Sequence, residues 1–123
     1  MRIFLVVVLI IHAVLETLMG GLLAFSPKLI NAAASEFALQ QLNTLGMLAL
    51  ASVAVVIFLW PNRTDKAALS VGLGALAAFH SAVIIASLIS GALLQAAAGY
   101  THHILLAVSF WVLWFQRGKL MAA

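Results

Sequence analysis

The sequence predicts an all-α integral membrane four-helix bundle, and three observations carry that expectation. Of the 123 residues, 66% are hydrophobic and 7% charged, against roughly 45–50% and about 25% in a soluble domain, and the mean hydropathy is +1.22. Apolar runs long enough to cross a ~30 Å hydrocarbon core recur between short polar turns. The basic residues gather on one side of those runs. A single transmembrane domain over 1–123 follows, with spans near 3–25, 37–60, 66–93 and 98–116.

The first span runs from Ile3 to Phe25 behind Arg2. A basic start ahead of an apolar stretch is also how a signal peptide begins, with Ala24 as the cleavage position. This run is too long for such an apolar region, however, and carries His12 and Glu16 inside it. Ser26-Pro27 ends the helix, because proline cannot continue one and biases its predecessor toward extended backbone. Lys28 to Leu39 is expected to hold a short interfacial helix and a turn. Ser35 then caps the second helix, with Glu36 in its first turn, and Pro61-Asn62-Arg63 terminates it.

Thr64-Asp65 repeats the cap-plus-acid pattern ahead of the third span. The small residues Gly72, Gly74, Ala77 and Ala78 predict a helix that neighbours approach closely. Gly99-Tyr100 reads as a turn and Thr101 as the cap of the fourth helix, unless that helix begins a turn earlier. It ends around Trp114 to Arg117.

With both termini cytoplasmic, Arg2, Arg63, Lys66, Arg117 and Lys119 fall inside and only Lys28 outside, which is the positive-inside pattern. Trp60 and Trp114 then mark the inner interface, and Phe25, Phe37 and Tyr100 the outer one. A weak internal repeat accompanies this order. LWPNR (Leu59 to Arg63) is like LWFQR (Leu113 to Arg117), and IHAVLETLMGG (Ile11 to Gly21) is like FHSAVIIASLISG (Phe79 to Gly91), so each half would be one hairpin in a parallel repeat. Apolar helices also resemble one another by composition alone. Glu16 aligns with Ile84, so the acid belongs to the first hairpin only.

Composition also excludes. The net charge of +3 comes from six Lys and Arg spread along the chain, which act as topology signals and indicate no nucleic-acid partner. Without cysteine there is no disulfide framework, no dithiol redox chemistry and no Cys-ligated metal site. No nucleophile constellation, phosphate loop or nucleotide motif is present, which argues against ATP-driven functions.

The stretch HAVLETLMGG (His12 to Gly21) carries the chemistry. A carboxylate at the bilayer centre costs about 3 kcal/mol on insertion scales, so an intramembrane Glu marks a functional site with a partner to be named. His12, Glu16 and Gly20 recur at i, i+4 and i+8 on one stripe, which should face the protein interior. Counting about 1.5 Å per residue from the inner end puts His12 at ~12 Å, Glu16 and His80 both at ~18 Å, and Asn43, His102 and His103 at roughly 22–25 Å. Glu16 and His80 are therefore the first candidate pair, with Asn43 and His102 or His103 as a polar lid. Glu16 is either protonated or ionised against a protonated histidine.

These six residues admit binding of a small ligand, a metal ion or a proton. His12, Glu16 and His80 could supply nitrogen and oxygen ligands to zinc, copper or iron, although H-x-x-x-E is far less specific than HExxH. Haem between axial histidines is a second cofactor expectation. Glu and His also suit a membrane-embedded acid–base enzyme or a proton-coupled transporter of a small apolar substrate. Two structural alternatives stand beside these: an interhelical hydrogen bond worth about 0.6–2 kcal/mol, and an accessory or assembly subunit of a larger membrane complex. The expected partners are the lipid bilayer and either further copies of the chain or such a complex. Met19 and Met47 read as packing residues.

The whole hydropathy profile, with ETLMGGLLAFSP (Glu16 to Pro27), resembles the DoxX-like and related small four-helix bacterial membrane proteins. That resemblance implies the architecture and a bacterial inner-membrane setting. It assigns no residue a role.

Overall fold

The structure, a computed structural model, describes residues 1–91 and 97–121. All regular structure among them is helical: α1 (Arg2–Phe25), a single 3-10 turn at Pro27–Leu29, α2 (Glu36–Asn62), α3 (Lys66–Ile89), α4 (Ala97–Phe115) and α5 (Arg117–Met121). Three of these helices, α1, α2 and α3, are long and apolar enough to cross a membrane, and Tyr100–Phe115 is a shorter apolar helix.

Helix boundaries follow local chemistry, sometimes against expectation. The Ser35 hydroxyl accepts from the Ala38 amide (3.2 Å) at the start of α2, as its position suggests. The connection before it holds only the 3-10 turn at Pro27–Leu29, not an interfacial helix: Asn31 Oδ1 takes the Ala33 amide and folds the chain into local turns. At α3 the cap is Asp65 itself, whose carboxylate accepts from Ala68 N–H at 2.7 Å, so the acid does the capping expected of Thr64. Pro61 lies within α2 instead of terminating it. A proline so close to a helix end removes one hydrogen bond, and the Asn62 side-chain amide (2.8 Å to Phe58 O) and the Arg63 guanidinium (to Trp60 O) serve the last carbonyls.

The third helix ends at Ile89, short of the expected residue 93; residues 92 and 93 lie outside those described. Ser90 and Gly91 close its end by donating to Ala86 O and Leu88 O, and Gly91 takes φ 72°, a left-handed conformation that glycine adopts without penalty and that stops a helix. The fourth helix starts earlier than its expected Thr101 cap, and Gly99-Tyr100 lies inside it, not in a turn. One interior glycine costs only about 1 kcal/mol relative to alanine, and the flanking alanines favour helix.

The chain forms two units. Leu9–Ile57 is one, and Met1–Val8 with Phe58–Ala123 is the other. In the first, α1 and α2 make an antiparallel hairpin. His12, Glu16, Gly20 and Ala24 recur at every fourth position of α1 and are all buried, the helical stripe that a packed face requires. The last of these meet Gly46. A Cβ at Gly46 would lie 2.7 Å from Gly20 O and collide with the Ala24 amide nitrogen, so this crossing exists because position 46 has no side chain. Asn43 Nδ2 donates to Ala24 O at 2.6 Å and pins the same level.

In the second unit α3 packs antiparallel to α4. Leu69, Leu73, Leu76, Ala77 and His80 form the buried stripe of α3, and Phe110 and Leu113 of α4 are fully buried. Trp114 Nε1 donates to Ser70 O (2.9 Å) and Trp111 Nε1 to Ser81 Oγ (3.1 Å). Arg2 Nε donates to Leu120 O at 3.2 Å, which holds the first turn of α1 and the short α5 at one end of this unit.

The outward faces are apolar. Ile3, Phe25, Ile57, Val71, Ile89 and Phe115 are each at least 69% exposed, a distribution that suits lipid contact.

Substitution at the hairpin crossing tests this packing. Gly46→Ala should lower stability by about 1–3 kcal/mol, whereas Gly21→Ala, whose Cβ would meet nothing within 4 Å, should stay within about 0.5 kcal/mol of the parent. Unfolding in mixed micelles, followed by circular dichroism, measures both.

Candidate functional site

Each unit contains buried polar side chains. On α1, His12 and Glu16 are 0% and 2% exposed. They stand one helical turn apart, and a ring nitrogen of His12 and a carboxylate oxygen of Glu16 lie within 4.8 Å of each other. Across the hairpin, Ser52 of α2 brings Oγ to 3.2 Å from His12 Nε2 and 2.6 Å from Ala49 O.

That pair of contacts fixes the His12 tautomer. A hydroxyl has one proton and a carbonyl only accepts, so Ser52 donates to Ala49 O and accepts from His12. His12 Nε2 therefore carries a proton, and the neutral ring keeps its lone pair on Nδ1. Ser52 thus presents the His12 lone pair in a fixed direction, as an outer partner does for a metal-ligating or proton-accepting imidazole.

In the other unit His80 of α3 and His103 of α4 face each other, Nδ1 to Nδ1, at 2.8 Å. Both are buried, at 0% and 8% exposure. Two imidazole nitrogens at this distance share one proton, since two N–H groups or two lone pairs would repel. Phe110 stacks on the His80 ring (5.7 Å between centroids, 15° between planes), and Phe79 meets it edge-on at 5.0 Å. His102 lies beside His103, with ring centroids 4.0 Å apart, and a ring nitrogen of each lies within 4.8 Å of the other. Three of the four histidines therefore gather in one unit, in an aromatic and aliphatic setting.

Nitrogen and carboxylate donors buried in this way are the kind that hold a metal ion or a proton. Nδ1 atoms 2.8 Å apart are close to the roughly 3.3 Å that separates two nitrogens on one tetrahedral ion with bonds near 2.0–2.1 Å. Conversion to shared coordination takes an opening of about half an ångström together with a turn of both rings, so that each lone pair points to an ion off the line between the nitrogens. A haem would have to pass between its two axial rings, and the direct His80–His103 contact leaves no room for the macrocycle there.

The sequence-derived residues divide as follows. His80, His102 and His103 come together around one nitrogen pair. His12 and Glu16 share the buried stripe of α1. Asn43 is taken up by Ala24 O in the hairpin crossing and serves structure. Ser52 escaped sequence reasoning, as did the pairing of His80 with His103. An antiparallel hairpin turning over residues 26–35 brings the level of His12 to that of Ser52, so matching polar residues across the turn would have found it.

No family model matches this chain, and no curated protein or solved structure matches it either.

Nitrogen-15 spectra of the imidazole rings test the tautomer. His12 should show a protonated Nε2 and an unprotonated Nδ1 in the parent, and Ser52→Ala should shift it to a mixture of both tautomers. A His12 ring protonated on Nδ1 in the parent would contradict the assignment.

Proposed function

We propose that this chain is a small four-helix membrane protein that binds a first-row transition metal ion through its buried imidazoles. The observation that carries the reading is the facing pair of Nδ1 atoms on His80 and His103 at 2.8 Å. Without cysteine the donor set is nitrogen and oxygen only, which suits zinc, copper(II) or iron. His80 and His103 are the principal ligands and His102 the neighbouring donor. His12 and Glu16, one turn apart on α1, are the second donor pair, with Ser52 orienting His12 as described.

Two features support four crossings with both termini on one side. The Arg2 to Leu120 hydrogen bond holds the start of α1 and the end of the chain's described part at one end of their unit, which supports an even number of passes. The same end carries Arg63, Lys66, Arg117 and Lys119 close to helix termini, which supports a cytoplasmic position for it. The setting in a bacterial inner membrane rests on the resemblance to the DoxX-like group.

The same histidine pair also favours a proton-handling reading. An N–H···N contact between two imidazoles passes a proton from one helix to the other with little motion, and metal binding would displace that proton.

Cobalt(II) titration of detergent-purified, chelator-treated protein separates the two. Metal binding predicts visible absorption of a nitrogen-ligated ion at a fixed stoichiometry, and His80→Ala and His103→Ala should each weaken it by more than roughly a hundredfold. Glu16→Gln tests the second donor pair in the same assay. Absence of any absorption change in folded parent protein would remove the metal reading and leave the proton pair.

A further inference from the structure

A second feature lies on the same two helices as the histidine pair, about four turns along them. Lys66 opens α3, and Arg117 follows the end of α4. Together with Ala67, Ser70 and Val71 they line an open cavity of about 480 Å³. The basic groups stand at helix ends, and Ala67 and the exposed Val71 are the apolar members of the lining, so the cavity has a cationic mouth and an aliphatic wall.

The Arg117 side chain is held in place. Its guanidinium lies over the Trp114 ring (4.2 Å to the centroid) and Nη1 donates to Trp114 O at 2.5 Å. Trp114 is fixed in turn by its bond to Ser70 O. A guanidinium has five N–H groups, so one bond to a carbonyl leaves most of the fork for another acceptor. Among the described residues no carboxylate forms an ion pair with Lys66 or Arg117. The adjacent acid, Asp65, has Oδ1 engaged with the Ala68 amide. Two cations that no described carboxylate pairs with directly, at the level where a span meets the headgroups, fit a bound phosphate group.

We propose that this cavity binds the headgroup phosphate of an anionic phospholipid, with Lys66 and Arg117 on the phosphate oxygens and an acyl chain descending past Val71. Ion pairing with Lys66 supplies a point charge, and Arg117 supplies directional hydrogen bonds from a preorganised fork. The aliphatic wall distinguishes a lipid from a free phosphate ion. The headgroup also joins α3 to the end of α4, reinforcing the link that Trp114 makes to Ser70.

The full chain, reconstituted in phosphatidylcholine nanodiscs with increasing brominated phosphatidylglycerol, provides the test, because bromine quenches nearby tryptophan. Quenching should saturate well before the bulk lipid is replaced, with roughly tenfold preference over brominated phosphatidylcholine. Lys66→Gln with Arg117→Gln should abolish the preference. Lys66→Arg should keep it, as should Lys119→Gln, a basic residue outside the cavity. Equal quenching by both lipids in the parent, or an unchanged preference in the double variant, would overturn the proposal. Displacement of the brominated lipid by millimolar inorganic phosphate would also overturn it, by showing a site for the free anion. If the double variant does not fold, the comparison of parent with Lys66→Gln alone decides, with a severalfold loss expected.

Discussion

Hydrocarbon offers no hydrogen-bond partners, so in helices apolar enough to cross a membrane every polar side chain that enters a bilayer has to be served by protein. That constraint explains the internal contacts better than stability does. An interhelical hydrogen bond in a membrane contributes only about 0.6–2 kcal/mol, whereas an amide or hydroxyl left unpaired in an apolar medium costs about 2–7 kcal/mol. The second figure dominates, and it fixes which turns of the helices stand at the same level. Asn43 on Ala24 O and His12 on Ser52 set the α1–α2 hairpin. Trp114 on Ser70 O, Trp111 on Ser81 and His80 on His103 set α3 against α4. Ser87 is satisfied within its own helix by Val83 O at 2.6 Å.

Close approach is the other half of the design. In a bilayer, lipid tails are as apolar as leucine, so helices associate there through contact and fit. Gly46 against Gly20 and Ala24 brings two backbones together where Asn43 can reach a carbonyl. Packing and polar satisfaction therefore reinforce each other at one level of the hairpin.

Much of the architecture was legible in the residues. Apolar runs gave α1 and α2 nearly to the residue, because Ser26-Pro27 and Ser35-Glu36 are strong local signals. The buried stripe through His12, Glu16 and Gly20 followed from i, i+4 spacing alone. The ends of α3 and α4 were less legible: Gly91 in a left-handed turn outweighs the apolar sequence around it, and Gly99 inside a helix is a small cost among good helix formers. In both LWPNR and LWFQR the arginine donates to the tryptophan carbonyl and lies over its ring. Side-chain partnerships across helices were the hardest to foresee. The partner of His80 depends on rotation of α3 and α4 about their axes, which residue depths do not contain, so His103 emerged only from the packing.

Chemically, the gathering of His80, His102 and His103 beside Phe79 and Phe110 is what sets this chain apart from an inert apolar bundle. Phe110 stacks on the His80 ring and Phe79 meets it edge-on, and the facing nitrogens are the place proposed for a proton or a metal ion. Nitrogen-15 spectra of the His80 and His103 rings, recorded before and after addition of zinc(II), test this most directly. Coordination predicts that both Nδ1 resonances move together and that the proton between them is lost. Retention of that shared proton, with both resonances unmoved at saturating zinc, would contradict a metal role for the pair.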